Sequence, residues 1–115
     1  MKQLLINALE TICPNNVFLQ GTLVPNTAYP DSFITFWTNY TDDNSHFDDE
    51  TFSIDWNFSV IFYSNDPTLV GTKPDEIITA LKNVGFIPQG KGNDVPSDIV
   101  SHTGWAMDFI YTEYL

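Results

Sequence analysis

The chain has 115 residues, 43% hydrophobic and 15% aromatic, which is long and apolar enough for one domain with a substantial core. Fifteen acidic residues against four basic ones give a formal charge of −11, which argues against binding to a nucleic-acid backbone or an anionic membrane. One cysteine excludes an internal disulfide and favours a reducing compartment. No apolar run is long enough to span a membrane, and the N-terminus lacks the pattern of a signal peptide.

The N-terminal part predicts a helix followed by two strands. Residues 2–11 carry apolar side chains at helical spacing, and Pro14 ends the helix, with Cys13 as a small buried residue at its end. Residues 17–23 predict a short strand and residues 25–31 a loop. Residues 32–40 then predict a second strand, with Phe33, Thr35 and Trp37 on one face and Ile34, Phe36, Thr38 and Tyr40 on the other. Aromatic residues on both faces indicate an interior strand covered on both sides.

Residues 51–64 form the most regular stretch of the chain. Every second residue is large and apolar, namely Phe52, Ile54, Trp56, Phe58, Val60 and Phe62. The residues between them are polar up to position 59, namely Thr51, Ser53, Asp55, Asn57 and Ser59. This alternation predicts a strand with one dry and one wet face, spanning about 45 Å. A strand of that length is either the spine of a sheet or an arm that reaches beyond its own domain.

The connection between these two strands, residues 41–50, is predicted to be an acidic loop. Its candidate partner-binding residues are Asp42, Asp43, His46, Phe47, Asp48, Asp49 and Glu50. Carboxylates suit calcium, but the spacing does not match an EF-hand loop and the glycine of that loop is missing. The remaining interpretations are a solvated loop and a partner-facing arm that becomes ordered on assembly.

The C-terminal half predicts a helix and a closing strand. A turn at residues 65–71 precedes a helix over residues 72–84, with Thr72 as its cap, Pro74 in its first turn and Gly85 after its end.

Beyond that helix, residues 86–87 predict a short strand that Pro88 limits to a sheet edge, followed by a loop at residues 89–101. Residues 105–115 predict a last strand, beside the long one. The expected fold is α+β: one domain over residues 1–115, with a mainly antiparallel sheet, a long β-hairpin and two helices packed on one face.

No set of residues in the sequence predicts catalysis, a cofactor site or a metal site. His46 and His102 lie in predicted loops, far apart in sequence and without a second ligand at metal spacing. Asp55 and Asp108 fall in predicted strands and could approach each other as an acid pair, but an outward-facing, solubilising role is the simpler interpretation. The expectation is that the chain is not an enzyme.

The order of elements resembles the tail-completion proteins of long-tailed bacteriophages, the tail-terminator or head–tail joining group. The residues that carry this resemblance are Tyr29-Pro30 before Phe33-Ile34-Thr35-Phe36, the acidic stretch 42–50, the strand 54–63, the helix 74–84 with Gly85-Phe86, and the closing strand 105–114. The resemblance covers nearly the whole chain, as a pattern of elements and not as a short motif.

The resemblance implies a structural virion protein that forms a hexameric ring at the head-proximal end of the tail. Its partners would be further copies of itself, the major tail tube protein and a head-closure or connector protein, with DNA passing through the ring. It would be located in the virion tail, and in the host cytoplasm during assembly. The strong negative charge suits a channel wall that must not retain DNA, and it is compatible with a monomer that assembles only on its partner. The resemblance leaves tail terminator and head-closure protein as alternatives, and the charge alone also fits an acidic inhibitor or binding module that mimics DNA.

Overall fold

The computed structural model of the chain describes residues 2–13, 17–19, 32–47, 50–95 and 102–114. The elements in these ranges are α1 (Lys2–Glu10), β1 (Val17–Leu19), β2 (Ser32–Phe47), β3 (Glu50–Ser64), α2 (Pro67–Asn83), β4 (Ile87–Pro88), β5 (Asn93–Val95) and β6 (Thr103–Tyr114). The predicted α+β class is confirmed, and both helices contribute to one hydrophobic core on one face of the sheet. The predicted loop at residues 25–31 lies outside the described residues.

The six described strands form one sheet in the order β1-β2-β3-β6-β4, and β5 also pairs with β6. β1 is parallel to β2, while the other pairs are antiparallel. The closing strand β6 lies beside the long strand β3, as the sequence predicts, with Ser53 opposite Tyr114 and Ser64 opposite Thr103. The three long strands β2, β3 and β6 together form a ribbon, which sets the 53 Å long axis of the molecule.

The helix-bearing face of the sheet carries the core that the alternating pattern predicts. Its buried side chains come from α1, from α2, from Phe86 and from the half of the three long strands that lies against the helices, which we call the proximal half. They include Leu5, Leu9, Ile34, Phe36, Phe58, Val60, Phe62, Ile77, Leu81, Met107 and Phe109. Trp56 and Ile54, farther along β3, are only partly buried. The helix layer therefore covers one half of the ribbon, and the half near Glu50 extends beyond it.

The second face of β3 was predicted to be wet, and this prediction is wrong. Asn57, Ser59 and Ile61 on that face are 5%, 8% and 7% exposed, so the residues between the apolar ones are also buried. Burial of polar side chains is tolerated only where they find hydrogen-bond partners, and the partners here lie on neighbouring strands. From Asn57 to Phe62, β3 is therefore buried on both faces.

A β-bulge in β2 changes which face its outer residues occupy. Thr38 lies opposite Phe58 and Tyr40 lies opposite Asn57, so Asn39 is the extra residue. The sequence pattern places Tyr40 on the face of Phe36, but the bulge moves it to the second face, where its side chain is 51% exposed. Both predicted faces of β2 are otherwise covered in its proximal part, since Phe33 and Phe36 are both buried.

The helix α2 begins five residues earlier than predicted. Asp66 and not Thr72 is the N-cap, its carboxylate accepting the Thr68 amide at 3.0 Å, and Pro67 occupies the first turn. The predicted turn at residues 65–71 is therefore largely helix, and Pro74 lies inside the helix. The predicted end is confirmed, because Gly85 has a positive φ of 101° and the Phe86 amide donates to the Leu81 carbonyl in a Schellman motif.

Part of the predicted loop at residues 89–101 forms the edge strand β5, held against β6 by a tight approach at Gly92. Gly92 has a φ of +98°, and a Cβ there would collide with the Ala106 carbonyl and the Trp105 indole. The indole in turn donates to the Lys91 carbonyl at 2.8 Å. This corner of the sheet thus depends on a residue without a side chain.

Replacement of Gly92 by alanine is expected to destabilise the fold by about 3 kcal/mol, because the new methyl group meets backbone and the residue keeps a left-handed conformation. Gly90→Ala is the matched control, since Gly90 has a φ of +83° but open space around a Cβ, and it should cost about 1 kcal/mol. Urea denaturation measures both variants. Equal losses would show that the approach to Ala106 is not tight.

Burial raises the pKa of the Cys13 thiol above its ordinary value of 9.0. The folded protein favours the protonated thiol. The contribution of Cys13 to the free energy of unfolding is therefore complete below the pKa of the thiol in the unfolded chain, and it is lost as the pH rises through the pKa of the thiol in the folded protein. Cys13 should therefore react with iodoacetamide at pH 8 only as fast as the chain unfolds. Rapid labelling of the native protein, at the rate of the urea-unfolded chain, would contradict this burial.

Candidate interaction site

The acidic stretch predicted as a loop is mostly strand. β2 continues to Phe47, β3 begins at Glu50, and these two residues pair with each other. Asp and Asn are poor strand formers, but pairing with the apolar strand opposite overrides that local preference. Of the predicted partner-binding residues, Asp42 is exposed and pairs with Asp55. Asp48 and Asp49 lie outside the described residues, as do the side chains of Asp43, His46, Phe47 and Glu50.

The two margins of the ribbon are covered in its proximal half. On one side β1 pairs with β2 only from Ile34 to Phe36. On the other side β5 covers β6 from Gly104 to Ala106, and β4 covers Phe109 and Ile110.

Beyond those points, no strand among the described residues pairs with the outer margin of β2 at residues 37–47 or of β6 at residues 111–114. We call these segments the β2 margin and the β6 margin. Exposed margins of this kind pair readily with another strand.

Both margins carry acidic residues. The β2 margin contains Asp42 and Asp43, and the β6 margin contains Glu113. Charged residues on a sheet edge oppose unwanted pairing between copies, and their repulsion weakens as salt screens it. Salt or a basic partner would therefore favour the pairing of a further strand with either margin.

A network of hydrogen bonds crosses the second face of the ribbon at the bulge. The Trp37 indole donates to the Asn39 amide oxygen at 2.7 Å, and the Asn39 amide nitrogen donates to Asn57 at 2.7 Å and to Ser59 at 2.8 Å. The Asn57 amide donates to Gln89 at 2.9 Å, and Ser59 donates to Asp108 at 2.8 Å. We call these six residues the cross-sheet network.

The cross-sheet network is a structural clamp. Asn57 and Ser59, its two buried members, use their polar atoms within the network, which leaves little capacity for an external ligand. It joins β2, β3, β6 and the segment after β4, and so it fixes the ribbon where the helix layer ends. A network whose buried members are paired in this way rigidifies the elements that it connects.

Asp55 and Asp108, considered above as a possible acid pair, do not meet. Asp55 lies opposite Thr112 and Asp108 lies opposite Ser59, which separates the two carboxylates by four positions, about 13 Å along the strands. Each carboxylate instead accepts a hydrogen bond from a hydroxyl group on the neighbouring strand. Asp55 accepts from Thr112 at 2.6 Å, and Asp108 accepts from Ser59 at 2.8 Å. Their role here is cross-strand hydrogen bonding.

Within the part of the chain that the structure describes, no group of three His, Cys, Asp or Glu side chains is placed to hold a metal ion. His102, one of the two histidines weighed as ligands, is buried with its ring 5.8 Å from that of Phe33. Among the same residues, no helix is long and apolar enough to cross a membrane.

A scan against protein-family models finds no match, and a search of curated proteins finds no similar sequence.

Replacing Asn57 by alanine should destabilise the fold by about 2 kcal/mol, because it removes the hydrogen bonds of the buried Asn57 amide to Asn39 and Gln89 and leaves a cavity in their place. Thermal or urea unfolding measures the loss. Gln3→Ala removes an exposed hydrogen bond on α1 and should change stability by less than about 0.5 kcal/mol.

A double-mutant cycle between Asn39→Ala and Asn57→Ala isolates their direct contact, with an expected coupling of about 1 kcal/mol. Strict additivity of the two losses would show that the two amides do not interact, and would remove the proposed clamp.

Proposed function

We propose that the chain is a structural subunit of a phage tail-completion ring, located at the head-proximal end of the tail and joining it to the head. The observation that carries this proposal is that, among the described residues, no strand pairs with the β2 margin or the β6 margin, which lie on opposite sides of one ribbon. The order of elements, which resembles the tail-terminator group, supplies the biological setting. The partners in this proposal are neighbouring copies, the tail tube protein below and a head-closure protein above.

Two different margins favour a head-to-tail contact. If the β2 margin of one copy pairs with the β6 margin of the next, each copy uses both margins, and repetition generates a closed ring or an open filament. Pairing of β2 with β2 in a symmetric dimer would leave both β6 margins uncovered. A ring of six copies is the size that the resemblance implies.

The charge of the chain supports the same proposal. A copy with a charge of −11 repels its neighbours at low salt, so the ring would form on the tail tube and not in dilute solution. Once formed, an acidic ring would let DNA pass without holding it, because phosphate binding requires clustered lysine and arginine. The tail tube would serve as the template that overcomes the repulsion between copies.

The net charge of −11 also favours one other candidate, an acidic module that mimics DNA and binds DNA-binding proteins. Such a module would bind these proteins as a monomer, with an affinity that falls steeply as salt rises. Ring assembly between like-charged copies has the opposite salt dependence, so a salt titration separates the two functions.

Cross-linking tests the head-to-tail contact. In a Cys13→Ala background, Thr41→Cys places a thiol on the β2 margin and Glu113→Cys places one on the β6 margin, and both positions lie on the helix-bearing face. With a short bis-maleimide and tail tubes, the double variant should give a ladder of covalent oligomers that ends at the ring. Thr41→Cys combined with Asn83→Cys, at the exposed end of α2, is the matched control and should give none.

Two results would count against the ring. One is a chain that stays monomeric by light scattering and never binds tail tubes. The other is cross-linking of Thr41→Cys alone into dimers with no ladder in the double variant, since this would indicate symmetric β2–β2 pairing.

A further inference from the structure

A cleft of about 600 Å³ lies on the helix-bearing face, between the first half of α2 and the corner formed by β5 and β6. Pro67, Val70 and Gly71 form its helix wall, and Asp94, Gly104 and Trp105 belong to the opposite wall. An adjoining hollow shares Val70, Gly71 and Trp105 and adds Pro74, Asp75 and Lys91. We call the two together the α2 cleft. It is distinct from both ribbon margins.

The helix wall of the α2 cleft follows one face of the helix. Pro67, Val70, Gly71 and Pro74 have the spacing i, i+3, i+4 and i+7, which places them in one stripe about 10 Å long. That length matches three residues of an extended chain. The stripe is therefore long enough for a short extended segment lying along the helix.

Gly71 is the least expected residue of this stripe. Each of the other described glycines has a reason within the chain: Gly85, Gly90 and Gly92 have positive φ, and a Cβ at Gly104 would meet the Tyr63 ring. A Cβ at Gly71 would meet nothing within 4 Å. Glycine is disfavoured in the helix interior, and no described residue accounts for it here, so we infer that Gly71 permits a close approach to the helix backbone.

Pro74 adds a hydrogen-bonding group to the same stripe. Inside α2 it has no amide hydrogen, so the Val70 carbonyl lacks the helical donor that residue 74 would otherwise supply. Val70 lines both parts of the cleft. An extended segment that crosses Gly71 closely could donate one of its own amides to this carbonyl.

The charged residues that line the α2 cleft indicate which kind of segment it binds. Asp94 and Asp75 line it together with one basic residue, Lys91, on a chain whose net charge is −11. We propose that the α2 cleft binds an extended segment of a different protein, one that carries lysine or arginine between apolar residues. A second copy of this chain is a poor occupant, because it has only four basic residues in total. The proposal does not depend on ring formation.

Solution NMR of the full-length chain tests this directly, with two terminally blocked hexapeptides as probes. One alternates valine and lysine, and the other alternates valine and glutamate. The lysine peptide should produce saturable shifts in the amides of Gly71 and Gly104 and in the Trp105 indole. The glutamate peptide should bind at least ten-fold more weakly, and shifts of equal size with both peptides would overturn the charge assignment.

Substitutions at Gly71 separate binding from folding. Gly71→Leu fills the cleft and should weaken binding of the lysine peptide at least ten-fold. Asn83→Leu, on the exposed end of the same helix, should leave that binding unchanged. Gly71→Ala should raise the melting temperature and still weaken binding several-fold, which keeps the test valid if the leucine variant does not fold. Undiminished binding by Gly71→Ala, no saturable shift at the cleft, or shifts there that depend on protein concentration without peptide would each overturn the proposal.

Discussion

Two backbone ladders meet on β3, and the rest of the structure depends on them. β2 pairs with it from Glu50 to Ser64, and β6 pairs with it from Ser53 to Ser64, so nearly every backbone polar group of the strand has a partner. Large side chains on one face pack against the helices, and polar side chains on the other face join the cross-sheet network. A slip of one residue in either ladder would exchange the faces, so that Phe58 and Phe62 would lose their contacts with the helix layer and Asn57 and Ser59 would enter the apolar core without their hydrogen-bond partners. Register and core therefore specify each other.

The same ribbon accounts for the proposed assembly. Short strands cover both margins where the helices pack, and the described residues add no strand farther out, where the ribbon leaves the helix layer. The bulge at Asn39 lies at this transition, and the cross-sheet network fixes the geometry there. The outer half is thus held in a defined orientation by the inner half, which is what a part that must join neighbouring subunits requires. In the proposed assembly, the acidic residues on both margins keep copies apart until a partner or salt offsets their charge.

The sequence predicted the features that depend on short-range patterns. Alternation at residues 51–64 is local, and it predicted β3 and its helix-bearing face correctly. The burial of Asn57 could not be predicted in this way, because it depends on Gln89, 32 residues away. The bulge at Asn39 was missed, since the residues beyond it are mostly polar and do not alternate, so the sequence does not show the change of face. The start of α2 was misplaced because two Pro-containing signals compete, and packing of Leu69 and Val70 on the core favours the earlier one.

Amide hydrogen exchange at the two margins tests the central claim most directly. In the free protein at low salt, outward-facing amides of residues 37–47 and 111–114 should exchange quickly, while those between β3 and its neighbours are protected. When the protein is bound to tail tubes, the amides of both margins should become protected from exchange together, because the β2 margin of one copy and the β6 margin of the next copy form a single ladder. Bound protein in which neither margin is protected, or only the β2 margin is, would contradict head-to-tail pairing.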